Sequence, residues 1–243
     1  MGFSVVPLTE GLGKSVEVLI QESEQLTDQQ ENRKALDVLL DADRRWPDNA
    51  AILHRIAGQY VLLMDNPLSK AEKEKFGQLA LEAAERAVAL APDDAQTRLS
   101  LAIVLGQVAL LESPRRQIEM SRRIREEAEA ATRLDPEEDH AWHVLGRWNY
   151  ELANLNPLLK SFAQAIYGKF PDASNTNAAT YFRKAIASGP PRVIHHIEYG
   201  RTLAVLGEKD EAREQIERGL ALPSKSKEDE ESKARGRQAL KSL

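Results

Sequence analysis

Residues 142–150, WHVLGRWNY, and residues 178–190, AATYFRKAIASGP, decide the fold. In the second stretch Ala178, Phe182 and Ala185 recur at spacings of four and three, and Pro190 follows five residues later. Residues three and four apart lie on one face of a helix, so this is a stripe with small residues at its edges. Small residues let a neighbouring helix approach closely, and proline stops the helix before the next begins. The first stretch supplies the neighbour, a helix in which a large apolar Leu145 is followed by Gly146.

The same stripe recurs along the chain. It reads Ala35, Leu39, Ala42, Pro47, then Ala80, Ala84, Ala87, Pro92, then Ile124, Ala128, Ala131, Pro136. A weaker fifth copy is Ala212, Ile216, Gly219, with Pro223 one position early. The preceding helices carry Ile56/Ala57, Leu101/Ala102, Leu145/Gly146 and Tyr199/Gly200, with a looser Leu19/Ser23 at the start. "WPDN", "APDD" and "LDPEED" supply turn and N-cap chemistry. WHVLGRWNY is similar to the tetratricopeptide pattern W-x2-L-G-x2-Y, its Tyr150 displaced by one. The expected fold is all-α: a right-handed tetratricopeptide-like solenoid of about five helix pairs. One domain spans 1–243, with repeats near 16–49, 50–94, 95–138, 139–192 and 193–226 and a polar capping helix at 229–243. "LPSKSKEDEE", before the cap, reads as a loop. The terminating prolines at 47, 92, 136 and 190 stand 45, 44 and 54 residues apart. Against a plain period of about 34, repeats two to four carry insertions of about 11, 10 and 20 residues, expected between the two helices of each pair.

Composition narrows the function. The 243 residues contain no cysteine, which removes disulfides, thiolate metal sites and cysteine nucleophiles and fits a reducing, cytoplasmic setting. The net charge of −5 argues against nucleic acid as partner. No apolar run reaches the length of a transmembrane span, and residues 1–20 lack the pattern of a signal peptide. Gly2 would suit myristoylation, but Val6 stands where Ser or Thr is wanted. Gly11-Leu-Gly13 lacks the strand that a phosphate-binding loop needs. With no nucleophile elbow, phosphate loop or paired carboxylates, the chain reads as a binding protein, not an enzyme, with no cofactor.

At the fourth repeat the sequence resembles the regulator of microtubule dynamics protein family. The resemblance rests on Gly146, Arg147, Trp148 and Tyr150; on Ala153, Asn154 and Leu155; on Tyr167 and Gly168; and on the Ala-rich helix after them. Residues 106–136 also look like the family, and the likeness spans roughly 25–225. It implies a tetratricopeptide-like fold and association with microtubules. Some members are tethered to organelle membranes by an N-terminal helix and contact lipids. Bacterial relatives have no eukaryotic microtubules to bind.

Register places His140, His143, Arg147, Tyr150 and Glu151 on the groove-lining helix of repeat four. Repeat five offers Ile194, Ile197, Arg201 and Ala204, and repeats two and three offer His54, Val61, Leu99, Ile103 and Gln107. Arg147 and Arg201 suit a carboxylate or phosphate, with His143 and Tyr150 beside them. Arg147 also precedes Glu151 by four, the spacing of an internal ion pair. His140 and His143 could face one metal, but the third ligand is missing and no HExxH motif occurs. His195 and His196, being adjacent, point apart.

The apolar insertion 155–170 contains Leu155, Leu158, Leu159, Phe162, Ile166 and Tyr167. It reads either as a lid for a lipid or partner helix, or as core that narrows the groove; one wall serves both. Arg115, Arg116, Arg122 and Arg123, with Arg125, would suit acidic tubulin tails or an anionic membrane. They would equally make a solvated face balanced by Glu126, Glu127 and Glu129. The leading expectation is a scaffold whose concave groove takes a protein or peptide partner. A lipid in that groove and a microtubule at the basic cluster are the alternatives.

Overall fold

The computed structural model describes residues 14–169 and 171–243. Gly2, Val6, the Gly11/Gly13 pair and Phe170 lie outside them. Among the described residues there are twelve helices and no strand. The first four are α1 (Val16–Asp28), α2 (Asn32–Arg45), α3 (Ala50–Met64) and α4 (Lys70–Leu90). Next come α5 (Ala95–Ala109), α6 (Pro114–Leu134), α7 (Asp139–Ala153) and α8 (Pro157–Tyr167). The last four are α9 (Asn175–Ser188), α10 (Val193–Leu206), α11 (Lys209–Ala221) and α12 (Lys227–Leu240).

Five helix pairs stack in sequence: α1/α2, α3/α4, α5/α6, α7/α9 and α10/α11. The first helix of each later pair packs on the second helix of the pair before it, which makes a helical-repeat solenoid. The repeat positions form its core. Ala35, Leu39, Ala42, Ala80, Ala84, Ala87, Ala128, Ala131, Ala178, Phe182, Ala185, Ala212 and Ile216 are all fully buried. Burying one Leu or Phe here contributes about 1.5–3 kcal/mol. Each prolyl stop acts alike: α2, α4, α6 and α9 end two residues before Pro47, Pro92, Pro136 and Pro190. The "PDN" and "PDD" turns end in N-caps, Asn49 accepting from the amide of Ile52 and Asp94 from those of Gln96 and Thr97.

The small residues sit where helices touch. A Cβ on Gly146 would lie 2.7 Å from the Phe182 ring, and one on Gly200 would lie 2.6 Å from Ile216 Cγ1. Two details differ from the sequence reading. The insertions of repeats two and three are not loops: they lengthen the second helix, so α4 and α6 have 21 residues against 14 in α2. Ser69 and Ser113 cap the extended helices, and Pro114 occupies a first-turn position where its missing N–H costs nothing. The stretch expected as a loop before the cap turns helical at Lys227, because Ser226 and Asp229 form a capping box.

Candidate functional site

Repeats four and five are joined by a buried polar cluster at the start of α7. Asp139 is 6% exposed and accepts from His195 Nε2 at 2.9 Å. Its carboxylate also pairs with Arg192, and with His140 Nδ1 at 3.3 Å. His195 Nδ1 stands 3.1 Å from His143 Nδ1, so two neutral rings form a relay in which His143 donates and His195 passes a bond on to Asp139. Gly189 is required beside them, since a Cβ there would lie 2.5 Å from Asp139.

Burial alone would raise the Asp139 carboxyl; bonds from His140, His195 and Arg192 instead hold it far below the usual carboxylate range. Burial also opposes charge on His140, but Asp139 and Glu138 push it up to about 9. Burial chiefly holds His143 well below its ordinary value. His195 is lowered chiefly by burial. His196 points away to Gln215, at 2.9 Å.

Among the expected groove residues, His143 lies inside the stack, its ring against Phe182 and His195. Ile197 and Leu99 are likewise core, and Ile194 is buried. His54, Val61, Ile103, Gln107 and Ala204 are half-buried. Arg147, Tyr150, Glu151 and Arg201 share one edge. Arg147 reaches Glu151 at 3.7 Å, and the Arg201 guanidinium lies 5.4 Å from the centre of the Tyr150 ring. Arg201 also pairs with Glu198 at 2.5 Å. Tyr150, Arg201, Ala204, Val205, Lys209 and Leu243 line an open depression of about 250 Å3.

The apolar insertion forms α8, which packs on α6. Tyr167 bonds Ser121 Oγ at 2.7 Å, and Arg122 donates to the Ile166 carbonyl with its guanidinium over the Tyr167 ring. Trp148 Nε1 donates to the Ser121 carbonyl at 2.9 Å, tying α7 to the same spot. Leu155, Leu159 and Ile166 are half-buried, whereas Leu158 (66%) and Phe162 (39%) face solvent. The basic residues lie on the α6 extension. Arg115 and Arg116 both reach Glu119, at 3.3 and 3.0 Å, and Arg123 reaches Glu85 at 2.6 Å. Arg125 pairs with Glu129 at 2.7 Å and stacks on Trp148. Glu138, Asp139 and His140 are the one group with metal-ligand spacing found among the described residues. Arg192 beside Asp139 sets a positive charge against a cation there.

The element that sequence reasoning missed is the path of the C-terminal helix. α12 packs on α10 as well as α11, and Arg235 reaches the buried Glu198 at 3.2 Å. Lys225, just before it, and Lys227, its first residue, touch the first two repeats, through Gln30 and the carbonyl of Asp65. No periodicity encodes a contact made across nearly the whole chain.

A family profile described as "Regulator of microtubule dynamics protein 1-3" matches residues 19–243. Regulator of microtubule dynamics protein 2 of Mus musculus is 25% identical over 230 residues, covering 94% of this chain and 56% of its own length. Regulator of microtubule dynamics protein 3 of Xenopus laevis is 27% identical over 230 residues, covering 92% and 49%. The chain thus spans about half the length of these relatives. Among solved structures, a thermophilic tetratricopeptide protein of Thermus thermophilus superposes with a TM-score of 0.66 at 16% identity, over 93% of this chain and 99% of its own. That likeness bears on the fold alone. No helix among the described residues is long and apolar enough to cross a membrane.

Proposed function

The chain belongs to the regulator of microtubule dynamics protein family, and from that premise we propose that it is a non-catalytic scaffold that binds a protein or peptide partner in its concave groove. The observation that carries this reading is the edge formed by Arg147, Tyr150 and Arg201. It places the Arg201 guanidinium and the Tyr150 ring at an open depression that the C-terminal helix also lines, with Arg147 three residues before Tyr150 on the same face of α7. Arg and Tyr are enriched where protein surfaces bind partners, because they combine area with directed hydrogen bonds. The ion pair of Arg147 with Glu151 is long and exposed, so a partner carboxylate exchanges for it at little cost.

A panel of immobilised helical and C-terminal peptides tests the reading. The groove reading expects peptides that bind the wild-type chain to lose at least tenfold in affinity to an Arg147→Glu/Tyr150→Ala variant with an unchanged melting curve. Undiminished binding would place the partner site elsewhere.

The relatives' names motivate a second reading, microtubule association through the basic cluster. Arg115 and Arg116 are exposed members of it, with side chains 72% and 57% accessible. Co-sedimentation with microtubules should then be lost on Arg115→Glu/Arg116→Glu substitution; retention would remove this site. Lipid carriage rests on the exposed Leu158 and Phe162 of α8, and lipid analysis of organic extracts of the purified protein tests it.

A further inference from the structure

The chain leaves α11 at Ala221, and residues 222–226 carry it back toward the first repeats. Gln30, in the turn between α1 and α2, donates through Nε2 to the Lys225 carbonyl at 3.1 Å. Lys227 Nζ donates to the carbonyl of Asp65, the C-cap of α3, at 2.6 Å. α12 then crosses α10, and Lys209 Nζ donates to the Leu243 carbonyl at 3.1 Å. The segment 222–243 therefore touches repeats one, two and five. Glu228 feels the charge of Arg147 in repeat four.

The two halves of this segment are held differently. The back half is anchored. Ser232, Lys233 and Gly236 are buried, and a Cβ on Gly236 would lie 2.6 Å from Ile197 Cδ1. Ala239, Leu240 and Leu243 pack against Val193, Ile197 and Ile216, and Arg235 meets Glu198, whose side chain is 3% exposed. The front half buries no residue from 223 to 231. Two hydrogen bonds between exposed groups fix it, each contributing about 0.5–1.5 kcal/mol. The Ser224 hydroxyl is buried with no partner.

What the front half presents is specific. The Lys227 ammonium meets the carbonyl end of α3, where the helix dipole is negative. We propose that residues 224–231 hold the place of a partner in the groove, and that this partner is a helix whose first turn carries a cation, as Lys227 does. The partner displaces the front half while the back half stays anchored. Being covalently attached, the front half competes at a high effective concentration, so the affinity seen by a partner falls with the fraction of open chains. This proposal rests on the groove-binding reading above.

The test uses the full chain and a fluorescein-labelled synthetic peptide of residues 224–235. Lys227→Glu removes the ammonium from the Asp65 carbonyl and adds a carboxylate beside Asp65 and Glu228. Gln30→Cys/Lys225→Cys, the only cysteines in the protein, joined by a short bismaleimide, lock the front half down. Amides 229–231 are expected to exchange hydrogen at least tenfold faster in Lys227→Glu than in wild type. The peptide is expected to bind Lys227→Glu at least tenfold more tightly than wild type, and the cross-linked chain not at all. Unchanged exchange at 229–231 would overturn the place-holder, whatever the groove binds. Faster exchange without peptide binding at millimolar concentration would overturn the partner chemistry. Equal affinity for all three chains would overturn the competition. Peptide binding to Lys227→Glu that survives a further Arg147→Glu would overturn the groove reading instead.

Discussion

Replacing Asp139 with Asn removes one charge from the junction of repeats four and five and leaves its shape in place. The carboxylate is 6% exposed and serves Arg192, His195 and His140. Arg192 and His195 donate to one oxygen and His140 faces the other, so the NH2 of an amide must face either His140 or the Arg192/His195 pair, donors in both cases. Removing one partner of a buried charged pair costs about 3–5 kcal/mol. Arg192 keeps partial access to water, its side chain being 37% exposed, so the lower end, about 3 kcal/mol, is expected. For a protein of this length that lowers the melting temperature by about 6–12 °C. The loss should concentrate in repeats four and five, since repeat stabilities add locally. Circular dichroism gives the melt, and NMR titration of His140 gives an independent reading. That ring is held at about 9 by Asp139 and Glu138, and its titration should drop by at least one pH unit. A melt within 1 °C of wild type, with the His140 titration unmoved, would refute this account of the junction.

Glycines on the first helices of different pairs should respond with opposite signs. Gly200→Ala forces a Cβ to 2.9 Å from the Ala212 carbonyl oxygen, a backbone atom that does not give way, so about 1–3 kcal/mol of overpacking cost is expected. Gly58→Ala and Gly106→Ala meet nothing within 4 Å and should stabilise by about 0.5–1 kcal/mol each, as read from denaturant midpoints. Stability should also peak near neutrality. His54 is held at about 4 by burial and Arg55, and His143 and His195 are lowered too; their contribution is complete above their unfolded value of 6.5 and is lost as pH falls below it. His140 has the opposite sign: its contribution is present below 6.5 and is lost as pH rises through about 9. Urea midpoints at pH 4.5, 6.5 and 9.5 should therefore be highest at the middle value.

The helix pairs, their stops and their buried stripes were legible in the sequence, because each rests on contacts between residues three or four apart or on a proline in the next turn. Ala178, Phe182 and Ala185 announce their buried face by spacing alone, and Gly146 and Gly200 mark where two helices close up. The family resemblance was carried by a local motif for the same reason. Helical periodicity assigns a face but not what the face meets. It set His143 on the groove-lining helix, yet Phe182 of its own repeat and His195 of the next cover it. It could not pair Asp139 with Arg192, 53 residues away, or bring Lys227 to the carbonyl of Asp65, 162 residues away. The curvature of five stacked repeats brings the last segment back over the first. That return accumulates from small rotations at every interface, so only the tertiary structure decides what the last segment meets.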